Sequence, residues 1–316
     1  MKKVLILGAK GMLGQELVRV FEKDKNYEVI AWDKEDIDVR QTNVLKEKIT
    51  AVMPQIIFNA VAYNAVDACE EDDEEYEKAK TLNGVFPGEL AKIARNIDVI
   101  LVHYSTDYVF DGKRPRYKGG GKNPRCCGRG CEDCMYMGPK EKLSFFAYHE
   151  NDECHPLSRY GRSKLQGEEN VEKYMSHYYI IRLSKLFGAP AQTLAGKKSF
   201  FDTMYELGKK NDVVQAIDGE TSKFTYAPDC AQKSKEIVDE KMEYGFYHIA
   251  NEGPATWYEG VKELYKIAGI DAKIAPVSPN AFVRSAQRPS SSVLKVTKIT
   301  PLRHYTEALK EYYGKK

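Results

Sequence analysis

The sequence predicts an α/β fold, a doubly wound parallel sheet with a smaller C-terminal substrate-binding region. Three observations carry that prediction. Short apolar runs alternate with helix-like stretches through the first half of the 316 residues. Those runs are continuous in Val, Ile and Leu, as parallel strands covered on both faces require. A glycine-rich turn separates the first run from the first helix, and no second such turn follows.

In chain order, Val4–Leu7 is a buried-strand candidate and Met12–Lys23 the helix behind the glycine turn. Tyr27–Trp32 is a second strand, Gln55–Asn59 after Pro54 a third, and Asp98–Ser105 a fourth. Helical stretches at Val44–Val52, Glu74–Asn83 and Pro87–Ala94 fall between them, giving a βαβ rhythm. The stretch Lys113–Leu143, rich in glycine, cysteine and cations, breaks the rhythm and reads as an insert at about residues 116–146. Beyond it lie a long helix, Arg159–Tyr174, and a strand, Tyr178–Ser184.

Composition excludes several classes. Lys and Arg total 48 against 46 acidic residues, a net charge of +2. A polyanion-coating protein needs a large cationic excess, so nucleic acid is not an expected partner. A mean hydropathy of −0.53 suits a water-soluble chain. No apolar run nears the ~20 residues that span a bilayer, so no membrane partner is expected. Glycines interrupt the apolar start and no small-residue cleavage site follows, so a cytoplasmic location is expected.

Gly8-Ala9-Lys10-Gly11-Met12-Leu13-Gly14 spaces three glycines as GxxGxxG between strand and helix. Such a turn lets a pyrophosphate approach backbone N–H groups at the positive end of a helix, as in a Rossmann unit. Asp33 follows Gly14 by 19 positions at the end of the second strand, where a carboxylate can accept both ribose hydroxyls. Lys10 and Lys34 flank the same place and could attract a 2′-phosphate, so NADPH and NADH both remain open. Residues 1–182 are therefore expected to bind the dinucleotide. Residues 183–316 form mainly the substrate region, with some elements returning to the sheet.

Tyr160-Gly161-Arg162-Ser163-Lys164 puts a phenol and an ammonium on one helix face. A free tyrosine, with a pKa of about 10, exchanges protons poorly at neutral pH. A cation nearby is expected to lower that pKa. Tyr104-Ser105-Thr106-Asp107-Tyr108 adds hydroxyls at the carboxyl end of a strand, the edge where open sheets bind ligands.

Together the glycine turn, STDYVFDG (Ser105–Gly112) and YGRSK resemble the extended short-chain dehydrogenases/reductases. More narrowly, the chain is similar to the dTDP-4-dehydrorhamnose reductase family. Asn59–Asp67 (NAVAYNAVD) is close to that family's NAAAYTAVD, and Tyr247–Gly253, Trp257-Tyr258-Glu259 and Thr300–His304 support the match. The resemblance implies that Thr106 polarises a 4-keto group, Tyr160 delivers the proton, and Lys164 holds the nicotinamide ribose. It places Gly11, Met12 and Leu13 at the pyrophosphate, Asp33 at the adenosine ribose, and Asp38 and Val39 at the adenine. Ala62, Tyr63, Asn64 and Tyr104 would border the cofactor, and Thr106 and Asp107 would touch a nucleotide-sugar substrate.

It also implies reduction of dTDP-4-dehydro-L-rhamnose, with magnesium a candidate ion and a homodimer a candidate assembly. The alternatives are a reductase or epimerase of another nucleotide sugar, or a non-catalytic subunit like methionine adenosyltransferase β. Two segments depart from the family pattern. Its RTSW is here Arg182-Leu183-Ser184-Lys185, which makes Lys185 a substrate-side candidate where an aromatic is usual. Its DQxGxPT is here Gly219-Glu220-Thr221-Ser222-Lys223-Phe224-Thr225.

Within the insert, Cys126, Cys127, Cys131 and Cys134 read CCGRGCEDC. Thiolates bunched this closely suit a tetrahedral zinc site. A redox-labile thiol cluster and a loop without defined chemistry are the rival readings. Cys69 and Cys230 are expected to be small buried or semi-exposed residues, His103 and His248 satisfied core histidines, and the acidic run Glu70–Glu75 a solvated helix start.

Overall fold

A computed structural model describes residues 1–113, 147–193 and 198–314. Its centre is a six-stranded, wholly parallel sheet in the order β2-β1-β3-β4-β5-β9. These strands are β1 (Lys2–Leu7), β2 (Tyr27–Trp32), β3 (Ile56–Asn59), β4 (Ile100–Thr106), β5 (Tyr178–Leu183) and, after three short strands, β9 (Gly245–His248). The short ones are β6 (Leu186–Phe187), β7 (Val213–Ile217) and β8 (Thr225–Tyr226). Later come β10 (Asn251–Glu252), β11 (Lys273–Val277) and β12 (Leu302–His304). Three two-stranded pairs, β6 with β8, β7 with β11 and β10 with β12, lie outside the main sheet.

The sheet is apolar on both faces because alternate residues point opposite ways. Val4, Ile6, Phe58, Val102 and Ile181 pack on one side with Leu17, Phe21, Cys230 and Ile237. Leu5, Leu7, Ile57, Leu101 and Ile180 pack on the other with Leu45, Ile49, Leu90 and Val171. Helix Gly14–Glu22 and helix Ala227–Asp239 cover the first face, so residues from the second half of the chain complete the sheet's own core. A third cluster, around Phe187, Phe201, Phe224 and Leu264, builds the C-terminal part.

Several boundaries shift from the sequence reading. The first helix begins at Gly14, not Met12, because residues 8–13 form the turn itself. The helix expected over Glu74–Asn83 divides into Asp73–Ala79 and a π-helical turn, Lys80–Val85. Cys69, Cys230, His103 and His248 are fully buried, but the histidines are only half satisfied, Nε2 of each lacking a hydrogen-bond partner among the described residues. The acidic run is not merely solvated. Glu70 accepts a hydrogen bond from the Arg159 backbone N–H at 2.5 Å, and Asp73 pairs with the Arg159 guanidinium at 2.6 Å. No described helix is long and apolar enough to cross a membrane.

Candidate active site

Sheet order reverses where β1 passes to β2 on one side and β3 stands on the other. Open α/β sheets bind ligands beyond the strand ends at such a point. A cleft of about 860 Å³ opens there, and its walls include Gly8, Gly11, Met12, Leu13, Asp33, Asp38 and Val39. They also include Ala62, Asn64, Tyr104, Thr106, Asp107, Tyr160, Lys164 and Lys185.

At the glycine turn, Gly8 sits at φ +77, and a Cβ there would press on the backbone of Ala60 and Val61 at 3.0 Å. Gly14 does not line the cleft. A Cβ on it would stand 2.0 Å from the Gly8 carbonyl oxygen, so its role is close packing of helix against turn. Asp33 accepts from the Lys10 N–H at 2.8 Å and the Lys34 N–H at 2.9 Å. Asp38 chelates the Arg40 guanidinium with both oxygens at 2.8 Å, and Arg40 holds its carboxyl down at about 2. Lys10 Nζ pairs with Glu35 at 3.2 Å.

The relay stands on helix Arg159–Tyr174, whose start is fixed by Ser158 Oγ accepting from the Gly161 N–H at 3.1 Å. That cap sets Tyr160 in the first turn and Lys164 in the second, on the buried face. Tyr160 is 8 %, Thr106 8 % and Lys164 3 % exposed. Tyr160 Oη donates to Asn64 Oδ1 at 3.3 Å, and Thr106 Oγ1, in the same cleft wall, donates to Asp107 Oδ1 at 3.2 Å. Lys164 Nζ donates to the Tyr104 carbonyl at 2.6 Å.

One expectation is corrected here. Lys164 was expected to lower the Tyr160 pKa; instead burial raises it well above 10, an effect that Thr106 opposes. The ammonium is engaged by a backbone carbonyl, and burial brings Lys164 itself down to about 8, against Glu168. Burial also raises Asp107 to about 6, while Ser292 Oγ donates to its Oδ2 at 2.5 Å.

Tyr63, expected at the cofactor, lies outside the cleft wall. Asn83 clasps its backbone, accepting from Tyr63 N at 2.8 Å and donating to Tyr63 O at 3.0 Å, and its ring packs behind Tyr160. The same Asn83 donates to Ser163 Oγ at 3.0 Å, tying the Tyr63–Asn64 loop to the relay helix.

Lys185 stands at the end of β5, next to the strand end that carries Thr106. It lines the cleft and takes the left-handed backbone conformation at φ +40, costly for a residue with a Cβ. Its Nζ lies 4.1 Å from the Trp257 ring centre and 4.9 Å from that of Phe224, and donates to the carbonyls of Ala255 and Glu220 at 3.2 and 3.3 Å. Burial brings it to about 7. The aromatic surface missing at position 185 is thus supplied beneath it by Trp257 and Phe224.

Sequence reasoning missed Phe200, Phe224, Trp257 and Lys198 as cleft residues, and Ser292 as the partner of Asp107. Trp257 had a signal, being quoted only as part of a family segment. Ser292 had none, since nothing local marks a serine 185 positions from its carboxylate.

The cleft fits a dinucleotide on grounds internal to the chain. Gly8 and Gly11 line it as bare backbone, and Ser105 Oγ is a buried cleft hydroxyl with no hydrogen-bond partner among the described residues. The described residues hold no group of three or more His, Cys, Asp or Glu able to bind a metal ion, so magnesium finds no such cluster there. Cys126, Cys127, Cys131 and Cys134 lie outside the described residues.

Comparison with known proteins agrees with this geometry. The family described as RmlD substrate binding domain matches residues 1–316. The chain is 30% identical to the spore coat polysaccharide biosynthesis protein SpsK of Bacillus subtilis, over 99% of this chain and 97% of that protein. It is also 30% identical to a dTDP-4-dehydrorhamnose reductase of Aggregatibacter actinomycetemcomitans, covering 95% and 92%. A crystal structure of a dTDP-4-dehydrorhamnose reductase from Clostridium acetobutylicum superposes with a TM-score of 0.81 at 33% identity, covering 98% of each chain. One from Bacillus anthracis, solved in complex with NADP, gives 0.83 at 26% identity over the full length of both. A whole-chain match, backed by relatives that align from end to end, shows that this chain belongs to the RmlD substrate binding domain family.

Proposed function

We propose that the chain is a cytoplasmic, NAD(P)H-dependent reductase that takes dTDP-4-dehydro-L-rhamnose to dTDP-L-rhamnose. One observation carries the reading: Thr106, Tyr160 and Lys164 are brought together, buried, in the wall of the cleft that also takes in the glycine turn. Gly8, Gly11, Met12 and Leu13 would hold the pyrophosphate, Asp33 the adenosine ribose and Lys164 the nicotinamide ribose. Bound there, the reduced nicotinamide supplies a hydride to C4 of the sugar. The chain's part is the proton and the orientation. Thr106 would hydrogen-bond the keto oxygen, and Tyr160 Oη would give that oxygen its proton, leaving an alcohol. A phenol whose pKa is raised by burial keeps its proton at neutral pH, as an acid working in the direction of reduction must.

Protein mixed with NADH or NADPH and dTDP-4-keto-L-rhamnose is expected to lose the absorbance of the reduced cofactor, mole for mole with sugar reduced. No loss with either cofactor would overturn the reading.

The finer cofactor choice falls to NADH. Asp33 accepts from the backbone N–H groups of Lys10 and Lys34, and two of the three nearby cations are paired, Lys10 with Glu35 and Arg40 with Asp38. A 2′-phosphate there would meet Asp33 with Lys34 alone of these three cations left to offset the repulsion. The Kd for NADPH is expected to exceed that for NADH by about tenfold, a gap of ~1.4 kcal/mol that Asp33→Ala should close. Equal affinities in the wild type would refute this.

Zinc on Cys126, Cys127, Cys131 and Cys134 remains part of the reading, supported by the CCGRGCEDC pattern. Protein purified without chelator is expected to carry about one zinc per chain; less than roughly a third, with freely reactive thiols, ends it.

A further inference from the structure

Ser292 is not in the cleft wall, but its Oγ donates to Oδ2 of Asp107, which is. It reaches that carboxylate from a segment, residues 286–297, that is pinned along its length to the loops around the cleft. Ala286 N and the Arg288 guanidinium bond Asp67, in the loop after β3. Ser292 N donates to the Thr221 carbonyl at 2.9 Å, and Tyr148 N donates to the Val293 carbonyl at 2.7 Å. Thr297 gives both its N–H and its hydroxyl to Glu150, at 3.0 and 2.6 Å. Pro289 packs so close to Gly112 that a Cβ there would stand 2.7 Å away. The Ser292 hydroxyl is therefore delivered to Asp107 by fixed backbone, and each of the two residues is 2 % exposed.

What depends on this contact is one hydrogen. Thr106 Oγ1 accepts from the Tyr108 N–H at 3.2 Å and donates its only hydrogen to Asp107 Oδ1 at 3.2 Å. To bond a keto oxygen, that hydrogen must leave the carboxylate. A buried carboxylate short of donors draws harder on those it has. Ser292 supplies a donor to the other oxygen, so Thr106 can turn away at a smaller cost to the anion.

We infer that Ser292 is a positioning residue for the reduction: by holding Asp107, it leaves the Thr106 hydroxyl free to turn to the substrate carbonyl. This rests on the reductase reading, which puts the keto oxygen at Thr106. Protonating Asp107 releases the same hydrogen by another route, because a carboxylic acid accepts more weakly and can itself donate to Thr106 Oγ1. A defect caused by losing Ser292 is therefore largest where Asp107 is ionised. Burial raises Asp107 to about 6 and Ser292 is the foremost group opposing that rise, so Ser292→Ala should carry the midpoint higher. The other titratable groups facing Asp107 are Lys185 after β5, Tyr108 in the turn after β4 and Tyr160 on the relay helix. Both phenols, raised by burial, keep their protons throughout. Lys185, at about 7, titrates in wild type and variant alike and cancels from their ratio.

The test compares the full-length wild type with Ser292→Ala and with Ser292→Thr, which keeps the hydroxyl. Turnover of dTDP-4-keto-L-rhamnose at saturating NADH is expected to fall about tenfold in Ser292→Ala near pH ~8, the gap narrowing to about twofold or less near pH ~5. Ser292→Thr should keep most of the rate, and all three proteins should bind NADH with equal Kd. A second readout needs no turnover. Infrared titration of cofactor-free protein follows the carboxylic C=O band that Asp107→Asn removes. Its midpoint is expected at about 6 in the wild type and about half a unit or more higher in Ser292→Ala. Equal losses at the two pH values, full activity of Ser292→Ala, or an unmoved midpoint would each overturn the inference. A midpoint that moves in a protein unable to reduce the sugar sinks the reductase reading and leaves the hold of Ser292 on Asp107 standing.

Discussion

Tyr160→Phe is expected to lose ~10²–10⁴-fold in turnover while binding the dinucleotide as tightly as the wild type. The phenyl ring keeps the contacts that seat Tyr160 among Cys69, Ala79, Tyr63 and Tyr108, so the wall of the cleft should hold its shape. What goes is the hydroxyl that donates to Asn64. No described neighbour supplies the same proton. Asp107 titrates near 6, so it is largely ionised at neutral pH, and Lys164 is engaged by the Tyr104 carbonyl. Single-turnover kinetics with NADH, alongside fluorescence titration of NADH binding, checks both halves. A variant that keeps more than about a tenth of wild-type turnover would show that the proton comes from elsewhere.

The parts of this site that could be read from the sequence are those in which one short segment carries the whole signal. The turn Gly8–Gly14 declares itself because only glycine tolerates the approach of Gly14 to the Gly8 carbonyl, and the spacing of Tyr160 and Lys164 is a helix repeat. Strands β1 to β5 were visible for the same reason, since burial on both faces forces unbroken apolar runs. The failures are interactions between distant segments. The Tyr160 pKa went the wrong way because four residues of sequence show a cation nearby but not the Tyr104 carbonyl that engages it, nor the burial that dominates. The clasp on the Tyr63 backbone was not legible because it comes from Asn83, in a π-helical turn that no periodicity announces. The neighbours of Lys185 could not be named because Trp257 and Glu220 reach it from elsewhere in the chain.

Arg182→Met is expected to cost about 3–5 kcal/mol of stability, a penalty that Arg182→Met with Glu168→Met should largely remove. Arg182 is among the largest fully buried side chains of the described residues. Its Nε and Nη2 donate to the two oxygens of Glu168 at 3.0 and 2.7 Å, and Nη1 donates to the Glu150 carbonyl at 3.0 Å. The guanidinium also lies 5.1 Å from the Phe110 ring centre and 4.8 Å from that of Phe246. Removing the arginine alone strands the Glu168 carboxylate, itself about 1 % exposed, without its counter-ion. Removing both charges leaves apolar side chains against Phe110 and Phe246, which burial favours. Urea unfolding of wild type, both single variants and the double variant gives the coupling directly. Additive losses would mean that the pair does not act as a unit. The cycle also bears on catalysis, because Glu168 follows Lys164 by one helical turn and raises its pKa. The double variant should therefore fold well but hold Lys164 uncharged to lower pH, weakening its grip on the ribose as pH rises toward 8. A pair that looks purely structural thus helps keep the cation of the relay charged.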